Sequence, residues 1–408
     1  MDKDSRKHHP TPYRLTREQL RQDLCEAYYD ARRHKRQRPY QQRFEARLSE
    51  NLEALCSELW TRTYRPRSST CFIIRDPKVR EVFAADFRDR IVHHLYFNYA
   101  HEMLERTFIQ DSYSCIEGRG THYGVRRLEH HIRQESQNYT ERCYILKLDI
   151  RGYFMHIDRR RLLTITLRQL RTMARHRVVR RAPTLWEERV DMDFLEYLTR
   201  EIILLNPAEG CRMLGQPSDW DDLPHDKSLF CSDEGCGLPI GNLTSQLFSN
   251  VYLGELDQWM KRTAGCRHYG RYVDDCYVVS ADKDWLLSLV PRVERYLRDE
   301  LALDLQTGKV ELADVRRGVE FLGFYVKPWR RYPTRDSLRR MTEKFEALHA
   351  LAASGMTDGE HVRSVLNSLL GVLSHTSSYR VRRRLLESFP AFLHFGRFDR
   401  ELHHFLIS

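Results

Sequence analysis

The sequence has no long apolar run, no C-x-x-C pair of cysteines and no low-complexity tract. No apolar stretch approaches the roughly 20 residues that a helix needs to cross a bilayer, and the polar N-terminus leads into no apolar segment of the kind that a secretory signal contains. The ten cysteines are scattered and form no C-x-x-C motif, so a zinc site is not favoured and the thiols are expected to be reduced. These absences predict a cytoplasmic protein with no membrane partner.

The sequence does contain enough apolar residues for a packed core, and it has an excess of basic residues. Its 408 residues are 41% hydrophobic, which suits two or three compact subdomains and excludes a mostly disordered chain. The 67 Lys and Arg residues outnumber the 57 Asp and Glu residues, for a net charge of +10. A basic balance favours a polyanionic partner, of which nucleic acid is the commonest, although a merely basic soluble protein would have the same composition.

An acidic pair lies between two β-prone segments in the stretch 269–279. Asp274 and Asp275 are preceded by YGRYV and followed by CYVV, a pattern that predicts two short strands joined by a tight turn at the aspartates. Two carboxylates presented in this way suit hard divalent cations such as Mg²⁺, which prefer oxygen ligands. A solvated surface hairpin would have the same pattern, so the choice depends on the rest of the chain.

A second candidate carboxylate follows the apolar segment YILKL at residues 144–148. Asp149 ends this predicted strand, and a carboxylate there is costly unless it is paired or bound to a metal. We therefore expect Asp149 to join Asp274 and Asp275. Phe154, five residues further on, is placed to lie beneath the sugar of a bound nucleotide, and its alternative role is that of a core aromatic.

Three further segments are candidates for contacts with a nucleotide. A predicted β-hairpin at 71–83 carries Lys78 and Arg80, which would hold a triphosphate, although basic hairpin tips are usually solvated. The segment 237–246 opens a helix with small residues, which let a nucleotide and a template approach the backbone closely. Lys309 lies in a turn after the acidic hairpin, where it would protonate a leaving pyrophosphate.

Nucleotidyl transfer explains why these residue types occur together. The reaction uses two metal ions, one that activates a 3′-hydroxyl and one that neutralises the triphosphate and the leaving pyrophosphate. Three carboxylates from different strands are enough to hold both ions, and the sequence supplies three.

The order of these segments resembles the reverse transcriptase family over about residues 60–330. The segment KLDIRGYF at 147–154 resembles the first carboxylate motif of that family, YVDD at 272–275 resembles the second, and FLGF at 321–324 looks like the primer-grip strand. The resemblance implies an α+β right-hand polymerase with fingers, a palm built on an antiparallel sheet, and a short helical thumb. It also implies two Mg²⁺ ions, with Mn²⁺ as a substitute.

The same resemblance implies further roles and boundaries. The backbone carbonyl of Ile150 would be a metal ligand, and Phe321, Leu322 and Gly323 would form the primer grip. The domains would be a basic helical extension at 1–60, fingers and palm at 61–326, and a thumb at 327–408. An insertion at 206–236 has no counterpart in this comparison and no assigned role. The implied partners are template RNA, a primer, the cDNA and dNTPs.

One departure from the common family pattern indicates a subgroup. Most reverse transcriptases have Gln-Gly-x-x-x-Ser-Pro between the carboxylate motifs, whereas residues 240–246 here read IGNLTSQ. This form resembles the enzymes of diversity-generating retroelements, which copy a template-repeat RNA into adenine-mutagenised cDNA with a small basic pentameric accessory variability protein. By this analogy Ile240 and Gln246 touch the nucleotide and the template, and Gly241 and Ser245 belong to the same binding segment.

Two alternatives stay open. The first is another bacterial reverse transcriptase, either of the group II intron type or an antiphage enzyme; the absence of sequence for a further domain beyond residue 408 disfavours the intron type. The second is a non-catalytic RNA-binding scaffold on the same fold, against which the three aspartates argue because a scaffold does not need them.

Overall fold

The computed structural model describes residues 12–33, 38–76, 78–178 and 184–407. Helices and antiparallel strands are mixed along the chain, which confirms the α+β class. No helix in these ranges is long and apolar enough to cross a membrane. The described helices are α1 (Arg17–Arg32), α2 (Pro39–Glu45), α3 (Leu48–Trp60), α4 (Phe87–Glu105), α5 (Thr121–Glu135), α6 (Tyr153–His156), α7 (Arg159–Ala174), α8 (Met192–Ile203), α9 (Leu243–Arg262), α10 (Lys283–Leu301), α11 (Arg335–Ala353), α12 (Gly359–Ser374) and α13 (Tyr379–Ser388).

The strands form small sheets rather than one large sheet. They are β1 (Thr70–Ile74), β2 (Arg80–Ala84), β3 (Tyr144–Leu148), β4 (Arg212–Met213), β5 (His268–Tyr272), β6 (Asp275–Ser280), β7 (Glu311–Asp314), β8 (Val319–Phe321), β9 (Phe324–Lys327), β10 (Arg330–Pro333), β11 (Gly396–Phe398) and β12 (Phe405–Ile407). The sheet orders are β2-β1-β4, β5-β6-β3-β7, β10-β9-β8 and β11-β12.

The chain divides into two compact units, each made from separate stretches of sequence. The first unit comprises the chain up to Ile116 together with Asp149–Gly265 and Leu289–Thr307. The second comprises Glu117–Leu148, Cys266–Ser288 and the chain from Gly308 onward. These units cut across chain order, so the boundaries expected at 60 and 326 and the right-hand arrangement stay predictions.

The first unit is mainly helical. Helix α4 packs against α1, α7, α8 and α9, and its N-terminus is capped by the carboxylate of Asp86, which accepts a hydrogen bond from the Arg88 N–H at 3.0 Å. The β1–β2 hairpin belongs to this unit, and β4 adds a parallel strand to β1. Because β4 lies inside the 206–236 segment, the insertion is part of this sheet.

The second unit is built on the four-stranded antiparallel sheet. Strands β3 and β6 are its two central strands, and both are apolar runs with most residues buried. Helix α5 packs against β5 and β6. The C-terminal helices have a core of their own that includes Phe345, Leu366 and Phe392.

Candidate active site

The two aspartates lie at the tight turn that the sequence predicts. Tyr272 and Asp275 are paired across the β5–β6 hairpin, so Val273 and Asp274 form a two-residue turn. Val273 has a φ of 55°, a conformation that suits glycine and costs a β-branched residue about 1–3 kcal/mol. Both aspartate side chains are half-buried, and the strained turn holds them at the end of the hairpin.

A buried arginine is hydrogen-bonded to the backbone of this turn. Arg271 is fully buried, and its Nη1 donates a hydrogen bond of 2.9 Å to the carbonyl oxygen of Val273. The Sγ of Cys276 is 3.7 Å from the carbonyl oxygen of Asp274. The side chains on both strands therefore hold the backbone of the turn, and the conformation of Val273 does not depend on that residue alone.

The third aspartate, Asp149, directly follows the last paired residue of β3. In the β3–β6 ladder Leu148 is paired with Cys276. Asp149 is the residue after Leu148, and Asp275 is the residue before Cys276. Asp149 is half-buried, and its carbonyl oxygen accepts a hydrogen bond of 2.8 Å from the Gln306 N–H.

The backbone carbonyl of Ile150 is directed away from Leu305. Ile150 forms an isolated antiparallel bridge with Leu305. The hydrogen bonds of this bridge use the carbonyl of Asp149 and the N–H of Arg151, so the Ile150 carbonyl is directed to the opposite side of its strand. This orientation agrees with the role that the resemblance assigns to it.

The donors present suit magnesium. Carboxylate and carbonyl oxygens are hard ligands of the type that Mg²⁺ selects, and the candidate set contains only these. Within the residues that the structure describes, no three His, Cys, Asp or Glu side chains are grouped closely enough to hold a metal ion. The fit therefore rests on donor chemistry and on the order of residues along the two strands.

A buried polar network behind the hairpin was missed by sequence reasoning. The Nδ1 of His131 lies 3.0 Å from the Tyr277 hydroxyl, and the Nη2 of Arg127 lies 3.2 Å from His131 Nε2. Because a guanidinium only donates, Nε2 of His131 accepts and its Nδ1–H donates to Tyr277. His131 is on the apolar face of α5, three residues after Leu128, which is the only signal that the sequence offers.

The primer-grip residues form a turn rather than a continuous strand. Phe321 and Phe324 are paired across β8 and β9, and between them Leu322 and Gly323 have φ values of 50° and 82°. The expectation of one strand is therefore wrong, because two residues with positive φ reverse the chain. The ring of Phe321 packs edge-on against Tyr277 at 5.1 Å, so this turn contacts the strand that follows the aspartates.

The first unit brings together several of the predicted nucleotide contacts. Ile240 and Phe154 are half-buried and pack against one small cluster of buried side chains, which we call the hairpin cluster: Cys71, Phe83, Met155 and Leu229. The Phe83 N–H donates to the Ile240 carbonyl at 2.9 Å, and the Leu238 N–H donates to the Phe154 carbonyl at 2.8 Å. The segments around Phe154 and Ile240 are thus both fixed to the β1–β2 hairpin.

Gly241 is at a position where a side chain would not fit. Its φ is 123°, and a Cβ there would lie 2.8 Å from Val82 Cγ1 and 3.1 Å from the Phe83 carbonyl oxygen. Next to it, the side chain of Asn242 is buried and its Oδ1 accepts a hydrogen bond of 3.3 Å from the Ala85 N–H. The close approach of residues 241–242 to β2 accounts for the small residue in this part of the segment.

The remaining predicted contacts differ in exposure. Gln246 is exposed on the first turn of α9, whereas Ser245 is buried in it. Lys78 and Arg80, on the hairpin, are both exposed. Lys309 is exposed in a short helical turn of the second unit. Of these five residues, Ser245 is the one whose side chain is least accessible to a ligand.

A buried histidine holds the start of α9 in place. The Nδ1 of His93 lies 2.8 Å from the Thr244 hydroxyl. Complete burial lowers the pKa of His93 to about 4, so the ring is neutral at physiological pH. This bond connects α4 to the helix turn that carries Ser245 and Gln246.

The insertion at 206–236 is attached to the β1–β2 hairpin by a buried carboxylate. Glu81 is fully buried in β2. One of its oxygens accepts hydrogen bonds from Trp220 Nε1 at 2.7 Å and from the Ser228 hydroxyl at 3.0 Å. The other accepts one from the Leu229 N–H at 2.6 Å. At the surface, Arg75 pairs with Asp222 at 2.7 Å. The insertion is therefore a structural part of the hairpin that carries Lys78 and Arg80.

Comparisons with known proteins give only distant structural similarity. No family model and no curated protein sequence match the chain. Telomerase from Candida albicans in complex with a TWJ fragment of telomeric RNA has a TM-score of 0.48 and 10% identity, over 84% of this chain and 58% of that chain. Apo telomerase from Candida tropicalis has a TM-score of 0.46 and 11% identity, over 83% and 62%. The form truncated from the C-terminal domain has 0.44 and 11%, over 65% and 55%.

The chain thus spans less than two thirds of the length of each of these telomerases. Because all three TM-scores are below 0.5, we base the assignment of function on the chain's own residues.

Proposed function

We propose that the protein is an RNA-directed DNA polymerase of the reverse transcriptase type, with a right-hand fold. The observation that carries this proposal is the β3–β6 register, which ends in the pair Leu148 and Cys276. It pairs the last residue of β3, which Asp149 follows in the chain, with the second residue of β6, which Asp275 begins. Asp149, Asp275 and the turn residue Asp274 would supply the three donors that nucleotidyl transfer needs.

In this proposal the chain's own residues bind and orient the reactants. The three aspartates and the Ile150 carbonyl would hold two Mg²⁺ ions, which when bound activate the 3′-hydroxyl and neutralise the triphosphate. Lys78 and Arg80 are exposed on the hairpin to which the insertion is bound, so they would be accessible to the triphosphate.

A primer-extension assay tests the reaction. The wild-type chain is given a DNA primer annealed to an RNA template, all four dNTPs and Mg²⁺. We expect the double variant Asp274→Asn, Asp275→Asn to lose at least about 10³-fold in rate, which corresponds to roughly 4 kcal/mol of lost charge stabilisation. The exposed Asp284→Asn is the matched control and should retain wild-type activity. Equal rates for the double variant and the wild type would refute the metal-site assignment.

Metal binding is measured separately from turnover. Titration with Mn²⁺ by calorimetry should detect binding to the wild type and to Asp284→Asn, and weaker binding to the double variant. RNA binding with no incorporation by the wild type, under any metal, would favour the scaffold alternative.

Within this class we propose the diversity-generating retroelement type, with a template-repeat RNA and an accessory variability protein as partners. Its support is the IGNLTSQ form of residues 240–246 and the fixed position of Ile240 against β2. We expect misincorporation opposite template adenines to exceed that opposite the other three bases, and Ile240→Gln to reduce this difference. Equal error at all four template bases, with or without a small basic partner, would favour the intron-like or antiphage alternative.

A further inference from the structure

The second unit contains a polar cavity of about 670 Å³ that includes none of the predicted site residues. Helix α5 forms one wall of it. The buried residues Val125, Leu128 and Ile132 lie on one face of α5, whereas Arg126 and Arg133 are exposed on a different face. Helix α5 packs against β5 and β6, and the face that carries the two arginines lines the cavity.

Two aromatic residues in strained conformations line this cavity. Trp329 is 65% exposed and lies at the tip of the β9–β10 hairpin, where Lys327 and Arg330 are paired. Its φ is 63°, at the turn position that normally requires glycine. Tyr139 has a φ of 69°, and its ring meets that of Trp329 at 4.8 Å. Two separate loops thus hold unfavourable backbone conformations that bring their rings together, and strain of this kind is concentrated at functional sites.

The lining of the cavity has an excess of positive charge. It contains four arginines and one glutamate. That glutamate, Glu129, is bound by both nitrogens of the Arg331 fork at 2.9 and 3.0 Å, which neutralises one cation and fixes α5 to β10. Arg126, Arg133 and Arg330 are exposed around the opening, and the guanidinium of Arg133 lies 5.3 Å from the centre of the Trp329 ring.

We propose that this cavity binds a single strand of nucleic acid, with an unpaired base stacked on Trp329 and phosphates on Arg126, Arg133 and Arg330. Aromatic rings beside arginines are the common means of binding single strands without sequence preference. Cations alone would equally suit an acidic peptide, but the exposed indole favours a ligand that has a flat ring. The inference rests on the proposed function, since a polymerase that copies RNA has unpaired template outside its active site.

Fluorescence anisotropy with labelled, unstructured 12-residue RNA and DNA oligonucleotides tests this inference. EDTA is present and dNTPs are absent, so the result does not depend on polymerisation, and failure of the proposed activity is distinguishable from failure of this site. Trp329→Gly removes the ring at a φ that suits glycine, so it should fold normally. We expect its affinity to fall about 5- to 150-fold, the range for one stacked base. Trp329→Phe, which keeps an aromatic ring, should retain most of the wild-type affinity.

The contribution of charge is tested with a matched pair of variants. Arg126→Gln, Arg133→Gln should reduce the salt dependence of log K by about 1.4, which corresponds to two phosphate contacts with a single strand. Arg380→Gln, Arg384→Gln removes the same charge from α13 and should leave the affinity and the slope unchanged. Tighter binding of RNA than of DNA would identify the bound strand as template. Tighter binding of DNA than of RNA would identify it as product.

Three results would overturn the proposal. They are unchanged affinity in Trp329→Gly, an equal effect of both arginine pairs, and tighter binding of a polyglutamate peptide than of either oligonucleotide.

Discussion

Replacement of Glu81 should detach the insertion from the hairpin that it stabilises. Its carboxylate is fully buried and accepts hydrogen bonds from the side chains of Trp220 and Ser228 and from the Leu229 N–H. All three donors belong to the insertion, whereas Glu81 belongs to β2. In Glu81→Ala these donors lose their acceptor while their surroundings stay apolar, since Leu229 and Trp220 pack in the hairpin cluster.

The magnitude follows from the three bonds. A buried donor left without a partner costs about 1–3 kcal/mol, and three donors lose their acceptor in Glu81→Ala. We therefore expect this variant to lower the free energy of unfolding of the first unit by at least about 3 kcal/mol.

Glu81→Gln should have an intermediate effect. The Trp220 and Ser228 bonds share one carboxylate oxygen, Oε1, and the carbonyl oxygen of glutamine can replace it. The bond from Leu229 uses Oε2, where glutamine would place an NH₂ group against an N–H. One bond is therefore lost and two are kept, at a cost of about 1–3 kcal/mol.

Two measurements check this prediction. Urea unfolding gives the stability, and hydrogen exchange of the peptide around Leu229 reports on the insertion itself. Exchange there should become faster in Glu81→Ala and change less in Glu81→Gln. Glu234→Ala, which removes an exposed carboxylate from the same insertion, should stay within about 0.5 kcal/mol of wild type. A loss below 1 kcal/mol in Glu81→Ala, or unchanged exchange at Leu229, would refute the reasoning.

Two further predictions concern the start of α9. Gly241→Ala should lower the free energy of unfolding by about 1–3 kcal/mol in urea titrations, because alanine disfavours a φ of 123° and its Cβ would press on Val82; wild-type stability would contradict this. His93 has a pKa of about 4 in the folded chain, against about 6.5 when unfolded, so its contribution is fully present above pH 6.5. As the pH falls towards 4, the unfolded chain binds the extra proton and stability drops by about 3 kcal/mol. His93→Gln should remove this part of the pH dependence of the urea midpoint, and an unchanged slope would show that another group is responsible.

The acidic hairpin could be predicted from sequence because its determinants are local. Residues 268–280 contain two β-prone runs separated by two residues, and this spacing fixes both the turn and the register. Asp149 could be predicted for the same reason, since it directly follows an apolar strand. The turn at Leu322 and Gly323 was missed although glycine is a turn signal, because the apolar residues on both sides continue the pattern of a strand.

The attachment of the insertion could not be predicted in this way. In β2 the period of two places Glu81 on the same face as the buried Phe83, so the sequence does indicate that a carboxylate points inward. The groups that donate hydrogen bonds to Glu81 are 139 to 148 residues away in the chain. Nothing in the sequence of residues 206–236 identifies those donors. The cavity beside Trp329 was missed for a similar reason, since its lining comes from α5, Tyr139, residues 329–331 and residues 374–377.

The insertion and the segment proposed to control fidelity share one core, and this decides how the role of the insertion can be tested. Leu229 and Trp220 of the insertion pack in the same hairpin cluster as Ile240 and Phe154. Deletion of residues 206–236 would leave a cavity beside Ile240 and expose apolar side chains, so a change in fidelity after deletion would not separate loss of the insertion from displacement of Ile240. Glu81→Gln keeps these apolar contacts and weakens only the attachment. If the insertion serves to hold the hairpin that carries Arg80, Glu81→Gln should raise KM for dNTPs more than it lowers kcat and should leave the adenine error ratio unchanged, whereas a change in that ratio would mean that the insertion acts through Ile240.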